Sequence, residues 1–150
     1  MSSGEEQDRG VRVWVYDRTM ATGRPPTVHE LAQHLDLPAA AVADSLERLA
    51  SGRALVLQRE SREVLMAGPF SAVPTPFAVH ANDRLYYGNC IWDALGIPAM
   101  LRVDARIDGS CGCCGESMRL ALTAGELGAV DGVVHFALPA RRWWDDIVYN

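Results

Sequence analysis

The stretch that decides the fold is NCIWDALGIPAML, residues 89–101, in which a cysteine precedes an aspartate by three positions. Asn89 is a residue type that often caps the N-terminus of a helix, and apolar residues follow it. We therefore expect a short helix that begins after Asn89 and ends near Gly96 and Pro98. Cys90 would then lie in the first helical turn, where free backbone amides and the helix dipole favour a thiolate.

A spacing of three residues places Cys90 and Asp93 on the same side of that helix. A thiol and a carboxyl group on one side could act on one bound molecule, and the pair is therefore a candidate catalytic site. On these two residues alone a second interpretation stays open. A small buried cysteine and a solvated first-turn carboxylate would give the same pattern.

The composition of the chain is typical of a globular protein without membrane spans. It has 150 residues, 49% of them hydrophobic, so one domain or two small ones can bury a core. No apolar run is long enough to cross a bilayer, and the acidic, polar N-terminus does not resemble a signal peptide. The four cysteines are not spaced as a disulfide framework is. These features predict a cytoplasmic protein with reduced thiols.

Residues 1–68 predict a domain of the winged-helix type. A helix is favoured near its start, although alternating valines there also fit a strand. Thr27 and Glu30 predict a capping box at the start of a second helix. A third helix is expected over residues 38–51, and residues 53–68 alternate as a two-stranded hairpin does.

This unit lacks the charge of a DNA-binding domain. The helix expected to enter the major groove carries Asp44 and Glu47 against Arg48, and the chain has a net charge of −5. Because DNA-binding helices concentrate uncompensated positive charge, nucleic acid is not expected as a partner. A structural or dimerisation role is favoured, and the oligomeric state is left open.

Residues 69–150 predict a small, mostly antiparallel sheet with the Cys90 helix packed on it, which makes the whole chain α+β. Three stretches of this part alternate as strands do: 99–108, 116–126 and 128–139. His80 and His135 fall on strand-like segments, and neither is assigned a role.

Three further cysteines lie together in CGCCG, residues 111–115. Cys111 and Cys114 form a C-x-x-C pair followed by a glycine, as in a zinc knuckle, but a closed zinc site requires four ligands. A disulfide pair of the thioredoxin type would need a βαβ context that the neighbouring sequence does not offer. Two interpretations stay open: a turn with incidental thiols, or contact of Cys111, Cys113 and Cys114 with a soft metal.

Five segments, in their order along the chain, resemble the organomercurial (alkylmercury) lyase family, in a divergent form. They are TGRPPTVHELA, AGPFSAVPTPFAV, NCIWDALGIPAML, CGCCGESMRL and PARRWWDDIVYN. The resemblance implies protonolysis of a carbon–mercury bond, with Cys90 capturing the organomercurial as a thiolate and Asp93 carrying the proton to the departing carbon. It also implies an organomercurial substrate, external thiols as mercury acceptors and no organic cofactor.

In that family a second catalytic cysteine follows a segment of the type WWDDIVYN, which here is residues 143–150. The lyase-like domain, residues 69–150, is therefore expected either to be incomplete at its C-terminus or to lack that residue. Cys111, Cys113 and Cys114 are then candidates for metal ligands beside Cys90. Two other functions stay open: a non-catalytic or repurposed lyase-fold protein that binds a soft metal, and a metal-responsive winged-helix regulator.

Overall fold

The structure, a computed structural model, describes residues 3–148. The first elements are α1 (Ser3–Thr22), α2 (Val28–Leu35), α3 (Ala39–Ser51), β1 (Val56–Leu57), β2 (Val64–Ala67) and β3 (Phe70–Ser71). They are followed by β4 (Ala78–Ala81), β5 (Arg84–Tyr87), α4 (Ile91–Leu101), β6 (Ala105–Ser110), β7 (Ser117–Thr123), β8 (Glu126–Leu127) and a 3-10 helix (Ala140–Asp145). Helices and antiparallel sheets confirm the predicted α+β class.

The first hydrophobic core lies among α1, α2, α3 and the three-stranded antiparallel sheet β1-β2-β3. The helical alternative for the first segment is confirmed, since α1 buries Val11 and Val15, which lie one turn apart. The capping box is confirmed too: the Glu30 amide donates to the Thr27 side chain, and the Thr27 amide donates to the Glu30 carboxylate. The winged-helix assignment and a domain boundary at residue 68 stay predictions.

The second core lies between α4 and a five-stranded antiparallel sheet of order β5-β4-β6-β7-β8. Val79 and Ile107 of the sheet are fully buried, as are Ala94 and Ile97 of α4. The predicted packing of the Cys90 helix on this sheet is therefore confirmed. None of the helices within residues 3–148 is long and apolar enough to cross a membrane.

Two tyrosines join the two parts of the molecule. The Tyr16 hydroxyl of α1 donates a hydrogen bond to the Gly68 carbonyl at 3.0 Å, and Tyr16 packs against both cores. The Tyr86 hydroxyl of β5 donates to the Met20 carbonyl at 2.8 Å. These contacts hold α1 against the part that carries α4.

The predicted bounds of α4 are wrong at both ends. The helix begins after Cys90 rather than after Asn89, and it continues through Pro98 to Leu101. Proline removes one backbone donor, but Ile97 and Pro98 are buried against the core, and this packing stabilises the extra turn. The strand expected to begin at residue 99 therefore begins only at residue 105.

The strand predicted over residues 128–139 does not form. Within the described chain, β8 ends at Leu127 and residues 128–139 have no regular structure. Alternation of apolar residues needs a partner strand and a core to face, and Val133 is instead 93% exposed. In the segment 143–150, the last two residues lie outside the described part of the chain.

Candidate active site

The turn between β5 and α4 brings the backbone of Gly88 very close to the helix. The Gly88 carbonyl accepts a hydrogen bond from the Thr75 hydroxyl at 2.6 Å. A Cβ atom at Gly88 would lie 2.5 Å from the backbone nitrogen of Ala94. Only glycine fits this approach, and it fixes where Cys90 and Asp93 stand.

Cys90 is the N-cap residue of α4, with an extended backbone at φ −147° and ψ −179°. This places it one residue earlier than predicted, so the first turn of the helix starts at Ile91. Its carbonyl accepts the hydrogen bond of the Ala94 amide at 2.9 Å. The half-buried thiol makes no capping hydrogen bond, although the amides of Trp92 and Asp93 lie close enough to lower its pKa.

The balance of forces on Cys90 favours the thiol and not the predicted thiolate. Burial raises the pKa of the Cys90 thiol above its ordinary value, the amides of Asp93 and Trp92 oppose that shift, and the Asp93 carboxylate adds to it. The net direction is upward. The argument from the helix dipole is therefore wrong for this site, because burial and a neighbouring carboxylate outweigh the free amides.

Asp93 is also shifted towards its protonated form. Burial raises the pKa of the Asp93 carboxyl, while hydrogen bonds from Asn89 and the interaction with Cys90 partly oppose the shift. Cys90 and Asp93 lie close together, since each of the two groups changes the pKa of the other, and their roles as a catalytic pair stay a prediction. Because the raised pKa makes the Asp93 carboxylate a stronger base than an ordinary aspartate, it can take up the proton that the Cys90 thiol loses.

Asn89 holds the Asp93 carboxylate in place. Its Nδ2 donates to Oδ2 of Asp93 at 3.0 Å and lies 3.4 Å from the Pro69 carbonyl oxygen. Its Oδ1 is buried and has no hydrogen-bond partner among the described residues. The sequence predicted Asn89 as a helix cap, whereas in the structure it orients the candidate acid.

Cys90 and Asp93 line a cavity of about 620 Å³, which we call the Cys90 cavity. Such a volume is typical of sites for small organic ligands. Its aromatic walls are Tyr16, Phe77, Trp92, Phe136, Trp143 and Trp144, and its other polar side chains include Arg12, Arg53, Asn89 and His135. The cavity therefore draws on α1, on the turn after α3, on α4 and on the chain after β8.

The CGCCG turn, residues 111–115, lies elsewhere. It joins β6 to β7, and the Gly115 amide donates to the Cys111 carbonyl at 2.8 Å, with Gly115 at φ +74°. The backbone amides of Cys114 and Cys113 lower the pKa of the Cys111 thiol. None of these three cysteines lines the Cys90 cavity.

The structure does not bring the four predicted metal ligands into one cluster. Across residues 3–148, no three His, Cys, Asp or Glu side chains are arranged to hold a metal ion. The four cysteines are free of disulfide bonds. A role for Cys111, Cys113 and Cys114 in metal binding stays a prediction.

Sequence reasoning missed four residues of the cavity. The sequence assigns Arg12, Arg53, His135 and Trp144 no role at this site, yet all four line the Cys90 cavity. They are distant from Cys90 in the sequence, and no spacing rule connects them. His80 is different, because its Nε2 lies 3.1 Å from Asp108 on the sheet, away from the cavity.

The chain matches the family model of alkylmercury lyase (MerB) over residues 70–149, more than half of its length. Its fold is similar to that of a solved structure, the mercury-bound form of MerB2, with a TM-score of 0.65 and 20% sequence identity. The match covers 83% of this chain and 59% of that one, so the chain spans less than two thirds of the length of this relative. With Cys90, Asp93 and the CGCCG turn all inside the matched segment, the chain belongs to the alkylmercury lyase family.

Proposed function

We propose that this chain cleaves the carbon–mercury bond of organomercurials by protonolysis, with Cys90 as the capturing sulfur and Asp93 as the proton carrier. The observation that carries the proposal is the pairing of a half-buried thiol with a half-buried carboxyl in one cavity, each shifting the pKa of the other. Family membership supports the reaction type. The bound mercury of the MerB2 relative supports mercury as the metal concerned.

Capture is the first step. Mercury(II) is a soft cation that binds sulfur far better than oxygen or nitrogen. As the sulfur–mercury bond forms, the Cys90 thiol loses its proton and the leaving ligand of the organomercurial departs as an anion. Asp93 accepts that proton, because its burial favours the neutral carboxyl.

Protonolysis is the second step. An external thiol binds the mercury as a thiolate, loses its proton to solvent and raises the electron density on the carbon bound to mercury. Asp93 then delivers its proton to that carbon, and the electron pair of the carbon–mercury bond forms the new carbon–hydrogen bond. The hydrocarbon leaves, and mercury(II) stays bound between Cys90 and the external thiolate until a further thiol replaces Cys90.

The surroundings of Asp93 suit this role. Burial raises the pKa of the Asp93 carboxyl, which favours retention of its proton until transfer to carbon. The 3.0 Å hydrogen bond from Asn89 fixes the direction of the carboxyl group. Because turnover consumes free thiols, a reducing compartment, the cytoplasm, is part of the proposal.

The test is release of benzene from phenylmercury in the presence of excess 2-mercaptoethanol, measured in the headspace. Asp93→Asn is expected to lower the rate by about 100-fold, which is typical for loss of a general acid. It should still bind one phenylmercury at Cys90. Asp83→Asn, at an exposed turn outside the cavity, is the matched control and should retain the parent rate.

Equal benzene release from Asp93→Asn and the parent would contradict the role of Asp93. Absence of benzene from the parent, with phenylmercury bound, would instead favour the second candidate, soft-metal binding without catalysis. The lowered pKa of Cys111 favours that candidate, because a thiolate in an exposed turn binds soft metals directly.

A further inference from the structure

Arg12 and Arg53 line the Cys90 cavity, and no carboxylate among residues 3–148 forms a salt bridge with either. Arg12 lies on α1, one turn before Tyr16, and Arg53 lies in the turn after α3 with its guanidinium 5.6 Å from the centre of the Trp144 ring. In the part of the chain that the structure describes, neither arginine forms a salt bridge. Seven other arginines do: Arg18, Arg24, Arg48, Arg62, Arg106, Arg119 and Arg142.

The carboxyl group of the cavity does not neutralise these cations. Burial, Asn89 and Cys90 account for the pKa shift of Asp93, and its direction is upward. A guanidinium within about 4–6 Å would lower that pKa instead. Arg12 acts on Tyr16, since burial raises the pKa of the Tyr16 phenol and Arg12 opposes the shift. The two positive charges are therefore available to a ligand.

The remaining lining limits the form of that ligand. Aromatic rings make up much of the wall, and flat aromatic groups pack well against such rings. A guanidinium binds a carboxylate through two parallel hydrogen bonds, which gives both strength and orientation. The Cys90 cavity thus combines a sulfur atom that can bind mercury, aromatic rings that can pack against an aryl group, and two arginines that can bind an anion.

We propose that the Cys90 cavity selects arylmercurials that carry a carboxylate, with Arg12 and Arg53 binding the carboxylate while Cys90 binds the mercury. This inference rests on the proposed function, because it names the substrate class of the same site. The reaction itself is unchanged: the aryl carbon takes the proton from Asp93, and the product is an aromatic carboxylic acid anion.

The test uses the full chain with Cys111→Ser, Cys113→Ser and Cys114→Ser, which leaves Cys90 as its only thiol. The rate constants for capture of p-mercuribenzoate and of phenylmercury are measured by stopped-flow absorbance of the mercaptide. The ratio of the two rate constants measures the effect of the ligand's carboxylate alone, because any change in the ionisation of Cys90 alters both rate constants equally. We expect the ratio to exceed that of a free thiol by about tenfold at low salt and to fall with rising ionic strength.

Arg12→Gln combined with Arg53→Gln should bring the ratio to that of a free thiol, and a circular dichroism spectrum equal to that of the parent shows that the variant is folded. The control is Arg59→Gln, an exposed arginine of the β1–β2 turn outside the cavity, and it should keep the parent ratio. A parent ratio equal to that of a free thiol, or one that the double substitution leaves unchanged, would overturn the proposal.

A second experiment distinguishes two molecules that could supply the carboxylate: the arylmercurial substrate and the external thiol. Benzene release from phenylmercury is compared with 3-mercaptopropionate and with 2-mercaptoethanol as the external thiol. Suppose that the arginines are needed for a preference for the anionic thiol but not for a preference for p-mercuribenzoate. This result would overturn the substrate assignment, and it would mean that the arginines bind the carboxylate of the external thiol. Capture of mercury requires Cys90 but does not require cleavage of the carbon–mercury bond. A capture ratio that depends on the arginines, without any benzene release, would therefore contradict only the proposed function.

Discussion

The start of α4 and the CGCCG turn both present cysteines, but in opposite surroundings. Cys90 is half-buried beside Asp93, and burial raises the pKa of its thiol. The turn carries three thiols, and backbone amides lower the pKa of Cys111 there. Cys113 and Cys114 are exposed. The richer cluster of thiols thus lies away from the cavity that holds the candidate acid.

Under the proposed function, the number of thiols in a region does not decide where the reaction takes place. A thiolate in the CGCCG turn can bind a soft metal, but among the described residues the carboxylate that acts on Cys111 is that of Glu116. The neighbouring Glu116 is exposed, and its charge raises the pKa of Cys111. The proposed protonolysis needs a proton held next to the sulfur, and we propose that Cys90 with Asp93 provides it.

The largest effect is expected from adding one methyl group to the turn before α4. Gly88→Ala would place Cβ 2.5 Å from the Ala94 nitrogen, so the helix start must move. We expect a loss of about 3 kcal/mol in the free energy of unfolding, measured in urea.

The matched change in the other region is Gly112→Ala, where a Cβ atom would meet nothing within 4 Å. Its effect should stay below about 0.5 kcal/mol, as for surface substitutions in general. Similar losses of unfolding free energy in Gly88→Ala and Gly112→Ala would show that the turn before α4 is no more tightly packed than the CGCCG turn.

A smaller effect is expected in thiol reactivity. At pH 7.5, iodoacetamide should modify Cys111 about tenfold faster than Cys90, because the thiolate is the reacting form and the two pKa shifts have opposite signs. Peptide mass spectrometry over time gives both rates from one sample. Faster modification of Cys90 would mean that its thiolate is stabilised after all, as the helix-start argument predicts.

The smallest effect concerns the hydrogen bond that orients Asp93. Asn89→Ala removes the 3.0 Å donor to the carboxylate and should raise the pKa of Asp93 further, because this bond favours the charged form. Carbon-13 NMR titration of the aspartate carboxyls measures the shift. Asn82→Gly, in the exposed β4–β5 turn, should leave the titration unchanged.

The same shift sets how Asp93 affects stability with pH. Its pKa is higher in the folded than in the unfolded chain, so its favourable contribution is complete below the ordinary aspartate pKa and is lost as pH rises through the raised value. Asp93→Asn, which stays neutral, should remove this loss. A parent that gains stability from Asp93 across that pH range would contradict the sign of the shift.

Sequence patterns correctly predicted the features that depend only on residues close together in the chain. The capping box at Thr27 and Glu30 and the end of α3 at Ser51 depend on a few adjacent residues, and the structure shows both. The spacing of Cys90 and Asp93 is equally local. The prediction of a lowered pKa for Cys90 is wrong because burial, which the sequence does not reveal, outweighs the effect of the helix start.

Tertiary packing decided the rest. Burial of Ile97 carries α4 past the expected stop at Pro98. Arg12, Arg53 and His135 meet at one cavity only because α1, the turn after α3 and the chain after β8 converge there. No periodicity or spacing along the sequence marks such a convergence.

The most direct test of the central claim is benzene release from phenylmercury by two reciprocal variants, with excess 2-mercaptoethanol supplying the second sulfur. The chain with Cys111→Ser, Cys113→Ser and Cys114→Ser keeps only Cys90, whereas Cys90→Ser keeps only the CGCCG thiols. The account predicts release by the first variant within about threefold of the parent and none above the protein-free blank by the second. Benzene from Cys90→Ser, or its loss from the Cys90-only chain, would contradict the account.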